Sequence, residues 1–120
     1  MIGILTLPEN NIVSEINVEE VENQQKIYNQ LCEIISSETL DCKSIDQIED
    51  QYHLIMYSDD YGYEKKLSFN EIASLLYSNG NEKQCIRGPV VFMVKHIITG
   101  IIASLDIKNF KNYLQKRKLF

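Results

Sequence analysis

The sequence has no tryptophan and only two histidines, two prolines and five glycines in 120 residues. His53 lies in an apolar run and His96 at the end of another, without Glu or Cys at metal-ligand spacing, so we assign both structural roles. The glycines form neither a G-x-G-x-x-G motif nor a phosphate-binding loop. No nucleophile with its base, carboxylate pair, metal set or phosphate cradle is complete. We therefore predict a non-enzymatic protein without a cofactor or a metal.

The three cysteines, Cys32, Cys42 and Cys85, are an odd number without C-x-x-C spacing, which predicts neither a disulfide framework nor a zinc site. A reducing cytoplasm is the simplest setting for them. The longest apolar run, residues 97–105, is interrupted by Gly100 and is too short to cross a bilayer. The sequence therefore predicts a cytoplasmic protein with no membrane partner.

Negative charge is concentrated in the first half of the chain. Residues 1–60 carry thirteen Asp and Glu against two Lys, a net charge of −11. Residues 61–120 carry four acids against ten Lys and Arg, a net charge of +6, and the halves add to −5. An acidic surface attracts basic partners and repels nucleic acid, although many charged surfaces only keep a protein in solution. The net charge thus disfavours direct binding to nucleic acid, and the basic cluster 116–118 is the feature that favours it.

Four short apolar segments, rich in β-branched residues and bounded by turns, predict strands at 2–7, 12–16, 52–57 and 89–94. Ser68 and Glu71 have the spacing of a capping box, which predicts a helix that starts at Ser68 and stops at Ser78-Asn79-Gly80. Asp106 is the predicted N-cap of a terminal helix whose apolar face carries Phe110, Tyr113 and Leu114.

Three further segments complete the prediction. Asn17 with Glu20 predicts the start of the longest helix, along which apolar residues recur at helical spacing as far as Ile35. Residues 38–44 alternate weakly, as an edge strand does, and 45–50 read as an acidic connection. The run 97–105 fits another strand or a buried bend. We predict one domain over residues 1–120 of the α+β class, a small mainly antiparallel sheet with two or three helices packed on one face.

Short motifs along the chain resemble those of a family of small phage- and plasmid-borne proteins known as a domain of unknown function, the three-eight-four-six family. The resemblance covers roughly residues 20–117 and rests on Leu54-Ile55 with Asp59-Asp60 and Gly62, Leu67-Ser68-x-Asn70, Ile86-x-Gly88-x-Val90-Val91, and Phe110-x-x-Tyr113-Leu114. Ser68 stands where the family usually has proline, and Asn70 corresponds to its most characteristic residue. The resemblance implies a mobile-element context and no known catalysis.

Two functional hypotheses follow. The first is an inhibitor that binds a host defence protein in the host cytoplasm, of the anti-CRISPR or antirestriction type, and covers that protein's nucleic-acid-binding surface. Its predicted contacts are the acids Glu19, Glu20, Glu22, Asp59 and Asp60. The alternative is a homo-oligomeric sponge for a small nucleotide signal. It would use Arg87 and the 116–118 cluster for phosphates, and Tyr61, Tyr63, Phe69 and Asn70 as an aromatic and polar rim.

Asn70 and the adjacent acids Asp59-Asp60 each have a second, purely structural interpretation. The Asn70 amide could hold the turn before the helix instead of contacting a ligand, because asparagine has low helix propensity and bonds readily to nearby backbone. Asp59 and Asp60 lie beside Gly62 in a predicted tight turn and lack the spaced oxygen ligands of a calcium loop. The sequence leaves open whether the chain self-associates and what role the basic cluster has.

Overall fold

Six strands form one antiparallel sheet in the computed structural model, which describes residues 1–78 and 85–118. The strand order is β2-β1-β5-β4-β3, and β6 pairs with β5 beyond the end of β1. Three helices complete the fold. In chain order the elements are β1 (Ile2–Leu7), β2 (Ile12–Asn17), α1 (Gln24–Ile35), β3 (Leu40–Glu49), β4 (Tyr52–Asp59), α2 (Glu71–Ser78), β5 (Val90–His96), β6 (Ile102–Ala103) and α3 (Ile107–Lys116).

The central strands β4 and β5 come from the two most apolar segments, and both are buried on their two faces. This confirms the predicted strands at 52–57 and 89–94, and Pro89 immediately precedes β5 because proline cannot donate to a ladder. The predicted first hairpin is also confirmed, with a 3-10 turn at Glu9–Asn11 between β1 and β2.

The helices divide between the two faces of the sheet. One face packs Ile55, Tyr57, Val91 and Met93 against the buried stripe of α1. The alternate residues of the same strands pack against α2 and α3 on the other face, among them Leu54, Met56, Val90, Phe92 and Val94. The predicted α+β class is thus confirmed, with three helices and an antiparallel sheet. The detail that the helices share one face is corrected.

The start of α1 differs from the prediction. Its N-cap is Asn23, whose side chain accepts a hydrogen bond from the Gln25 N–H at 2.8 Å. Asn17 ends β2 opposite Ile2, and the Val18 N–H donates to the Met1 carbonyl at 2.8 Å. Val18 thus lies in an extension of the strand and not in a helix, although it packs with Ile27 and Leu31 of α1, so its helical spacing to Val21 is misleading.

Residues 45–50, predicted as a connection, belong instead to the ten-residue edge strand β3, apart from Asp50. The pairing of β3 with β4 shifts register between Ser44 and Asp46 and again between Gln47 and Glu49. Each irregularity breaks the alternation of inward and outward side chains, which is the signal on which sequence-based assignment of a strand depends.

The helix α2 begins at Glu71, and its N-cap is Asn70, because the Asn70 Oδ1 accepts a hydrogen bond from the Ala73 N–H at 3.1 Å. The predicted cap, Ser68, lies in extended chain, where its carbonyl accepts from the Gly88 N–H at 2.8 Å. The Ser68 capping box is therefore wrong. The predicted stop at Asn79-Gly80 lies outside the described residues.

Residues 97–101 form an exposed turn and Ile102–Ala103 form the strand β6, so the predicted strand is confirmed at two residues and the alternative, a buried bend, is wrong. After this turn, the prediction for α3 is confirmed. The Asp106 carboxylate accepts from the Asn109 N–H at 2.8 Å, and Phe110, Tyr113 and Leu114 are buried.

Candidate functional site

The acids Glu19, Glu20 and Glu22 are exposed in the segment that joins β2 to α1. Both polar atoms of the Gln30 side chain, in α1, form hydrogen bonds to the backbone of this segment. Its oxygen accepts from the Glu19 N–H at 2.7 Å, and its amide donates to the Glu19 carbonyl at 3.0 Å. The backbone at Glu19 is thus anchored to the helix, and the side chains of all three glutamates are exposed beside it.

Asp59 is buried, which corrects its assignment as a partner contact. Its carboxylate accepts hydrogen bonds from the Lys65 ammonium at 2.7 Å and from the Tyr61 N–H at 2.9 Å. Burial by itself raises the pKa of the Asp59 carboxyl, but these hydrogen bonds outweigh it and hold the pKa below its ordinary value. The neighbouring Asp60 is exposed, so this end of the sheet offers one of the two predicted charges.

The predicted acids lie at opposite ends of the sheet. Glu19 to Glu22 follow Asn17, which pairs with Ile2 at the end where Tyr52 pairs with His96. Asp59 and Asp60 lie at the other end of β4, about 23 Å away at 3.3 Å per residue. The two groups of acids are therefore separate patches and not a single cluster.

Asn70 is buried, and its amide is used inside the protein. The Nδ2 group donates to the Thr6 carbonyl, the Thr6 hydroxyl and the Gly88 carbonyl at 3.0–3.1 Å, while Oδ1 caps α2. One side chain thus ties β1, the start of α2 and the segment before β5. Of the two interpretations left open by the sequence, the structure supports the clamp that holds the turn, and Asn70 presents no group to a ligand.

The remaining rim residues are only partly brought together. The Arg87 guanidinium lies over the Tyr63 ring at 5.6 Å, and Arg87 pairs with Phe69 in an isolated bridge. One Arg87 nitrogen donates to the Leu67 carbonyl at 3.0 Å, whereas its buried Nε has no hydrogen-bond partner among the described residues. Tyr61 instead lines a separate groove of about 770 Å³ at the end of α1, with Glu33, Glu38 and Lys65.

The basic cluster is anchored elsewhere. Arg117 donates to the Asp46 carboxylate at 2.9 Å and to the Tyr113 hydroxyl at 2.8 Å, so its charge is matched inside the protein. Burial, together with the hydrogen bond and charge of Asp46, raises the pKa of Tyr113 to about 12. Asp46 pairs with Leu54, near the start of β4, whereas Arg87 lies beyond Asp59, at the end of β4. The two predicted phosphate-binding groups therefore do not share a site.

Three isoleucines that sequence reasoning placed in the interior are exposed in the turn between β5 and β6. Ile98 is 81% exposed, Ile101 58% and Ile97 47%. A groove of about 390 Å³ runs beside this turn, lined among others by Glu20, Val21, Glu22, Ile101 and Ile102. The signal that was available is Gly100, which has a φ of +72° and permits a tight turn in the middle of the apolar run.

In residues 1–78 and 85–118, no group of three or more His, Cys, Asp or Glu side chains is arranged to hold a metal ion. Among the helices of the same part of the chain, none is long and apolar enough to span a membrane. Comparison with known proteins gives no match to a family model, a curated protein or a solved structure. The surfaces themselves therefore carry the functional argument.

Proposed function

We propose that this protein is a non-enzymatic inhibitor that binds a host defence protein and covers its basic, nucleic-acid-binding surface. The mobile-element context comes from the family resemblance of the sequence motifs. The mode of binding is inferred from the distribution of charge over the two faces of the sheet.

The observation that carries the proposal is the acidic α1 layer, defined as residues 18–39. It contains five glutamates and one lysine, a net charge of −4, and all five glutamates are exposed. The α3 layer, residues 106–118 on the opposite face, contains one aspartate and five basic residues, a net charge of +4, although one of the five, Arg117, is paired with Asp46 of β3. A surface that binds nucleic acid is positive and is complementary to the first layer and not to the second.

The test compares two charge reversals of equal size. E19K/E20K/E22K inverts one end of the acidic layer, and K108E/K111E/K116E inverts the opposite face as a matched control. The partner is first captured from host lysate by the tagged wild-type chain, and its Kd for each purified variant is then measured. We expect at least tenfold weaker binding for the first variant and no loss for the second, together with weaker wild-type binding at raised salt.

Occlusion also predicts that the partner cannot bind nucleic acid while the chain is bound to it. A saturating amount of the wild-type chain should prevent the captured protein from shifting its nucleic-acid substrate in a gel, and E19K/E20K/E22K should not. A partner that retains its nucleic acid when saturated with the chain would show that binding does not cover that surface. Undiminished affinity of E19K/E20K/E22K at low salt would contradict the electrostatic mode.

The stacked pair of Arg87 and Tyr63 favours the second candidate, a homo-oligomeric sponge for a small nucleotide. An exposed aromatic ring beside a guanidinium can hold a base and a phosphate. Native mass spectrometry of the protein recovered from host lysate tests it. An oligomer with bound mass of nucleotide size that Arg87→Ala abolishes would support the sponge, whereas a complex with one or two copies of a host protein would support occlusion.

A further inference from the structure

The end of the sheet that carries the 97–101 turn combines exposed apolar surface with a rim of negative charge. The turn leaves its isoleucines in solvent, although its backbone is well held. The Ile97 N–H donates to the Gln51 carbonyl, the Gly100 N–H to the His96 carbonyl and the His96 N–H to the Ile101 carbonyl, each at 2.8–2.9 Å. A pre-ordered turn that exposes large apolar side chains is the form in which proteins present an interface anchor.

Carboxylates lie on both sides of this turn. Glu20 and Glu22 line the groove that Ile101 shares on one side. Glu49 and Asp50 lie on the other side, next to Gln51, whose side chain also contacts the His96 ring nitrogen at 3.0 Å. A basic residue, Lys95, also borders the turn, with its Cε 3.7 Å from the position of a Cβ on Gly100. These five charged residues sum to −3.

We infer that this isoleucine end, defined as Ile97, Ile98 and Ile101 with the rim Glu20, Glu22, Glu49 and Asp50, docks a protein segment that presents apolar side chains flanked by lysine or arginine. The apolar contact supplies the anchor, and the acidic rim selects basic flanks over acidic ones. A second copy of this chain is disfavoured, because apposing two such ends brings eight carboxylates together against two lysines. The inference rests on the proposed function and states which part of the partner is held.

The test uses a model segment and nuclear magnetic resonance. The isotope-labelled chain is titrated with an amphipathic helical peptide of leucine and lysine, with a peptide in which glutamate replaces lysine, and with one in which serine replaces leucine. We expect the leucine-lysine peptide to shift the amides of residues 18–22 and 97–102. The glutamate and serine peptides should bind at least tenfold more weakly.

Matched variants locate the contact. Ile98→Ser should weaken binding of the leucine-lysine peptide at least tenfold. Ile12→Ser should not, because Ile12, which is 45% exposed, lies at the opposite end of the sheet. The amide spectra of both variants show directly that they remain folded. Because Ile98 is largely in solvent, its replacement leaves the core intact.

Any of these results would overturn the inference: no shift with the leucine-lysine peptide, equal binding of the serine peptide, equal binding of the glutamate peptide, or equal binding by Ile98→Ser. Shifts of the same amides with protein concentration alone would assign the surface to a second copy and overturn it as well. If the inference fails while host-partner binding still depends on the acidic layer, the proposed function stands. If no host partner is captured while the peptide binds as expected, the proposed function alone fails.

Discussion

Asn70→Ala tests whether one buried amide holds three parts of the fold together. The substitution removes the N-cap of α2, which costs about 1 kcal/mol. It also withdraws the donor from the Thr6 and Gly88 carbonyls, and a buried group left without its partner costs about 1–3 kcal/mol. The Thr6 hydroxyl also loses the Asn70 donor, but it keeps its hydrogen bond to the Val90 carbonyl at 3.5 Å, so this loss costs little. With the low end of each contribution, we expect a total loss of at least about 3 kcal/mol in the free energy of unfolding.

The free energy of unfolding is measured by urea denaturation of purified variants. A loss of about 3 kcal/mol corresponds to a fall in Tm of roughly 10 °C for a chain of this size. Ser68→Ala is the matched control, because Ser68 is exposed and is not the cap, and it should cost less than about 0.5 kcal/mol. The capping box predicted from the sequence demands the reverse order, so the pair of variants decides between the two local structures.

Asn70→Asp sharpens the same test. Aspartate is as good an N-cap as asparagine on exposed helices, so capping alone predicts little change. Here the second carboxylate oxygen would face the three acceptors that Nδ2 now serves, and a buried charge would have no donor there. We expect Asn70→Asp to destabilise at least as much as Asn70→Ala at neutral pH. A near-neutral Asn70→Asp, or a Ser68→Ala as costly as Asn70→Ala, would refute the clamp.

Three further predictions concern stability. Gly88→Ala should cost about 1–3 kcal/mol, because Gly88 has a φ of +86° and an added Cβ would lie 2.7 Å from the Leu67 side chain; an unchanged urea midpoint would contradict this. Phe110→Ala should cost about 3–5 kcal/mol, since Phe110 is fully buried with its ring 5.0 Å from that of Phe92, and a loss below about 1 kcal/mol would show that the α3 layer is not tightly packed. Because burial and Asp46 raise the pKa of Tyr113 to about 12, the folded state keeps a proton that the unfolded chain releases near pH 10. The resulting stability is complete below pH 10 and is lost as pH rises to about 12, and Tyr113→Phe should remove this part of the pH dependence in denaturation curves.

The sequence predicts the interior of this fold better than its boundaries. The central strands and α3 are set by local signals, an apolar run that ends at turns or an Asp cap before an apolar stripe, and these were read correctly. Long-range pairing decides the rest. Val18 is buried because β2 extends beside Met1, and the bulges of β3 follow from its pairing with β4, neither of which a periodic pattern contains.

The candidate sites show the same division. Exposure of Glu19, Glu20 and Glu22 follows from charge alone and was predictable. The burial of Asp59 was not, because it depends on Lys65, six residues later, turning back over the chain. Helix propensity marks an asparagine at position 70 as unusual, yet its partners in β1 and before β5 are set by tertiary contacts. The exposure of Ile98 is not predictable from the sequence, because an apolar side chain indicates burial unless something else requires it in solvent.

The difference in charge between the halves of the sequence becomes a difference between two faces, because the chain lays α1 on one side of the sheet and α3 on the other. A helix with its side chains is about 10–12 Å across, so with the sheet between them the two helix axes lie roughly 20 Å apart. This exceeds the Debye length of about 8 Å at physiological ionic strength, and the two faces then act on a partner independently. At low salt the screening length grows, and attraction to the overall charge adds to any local contact. Charge reversal on the α3 face should therefore leave a specific α1-layer interface unchanged at physiological salt, whereas binding that responds to both reversals there reports net charge and not an interface.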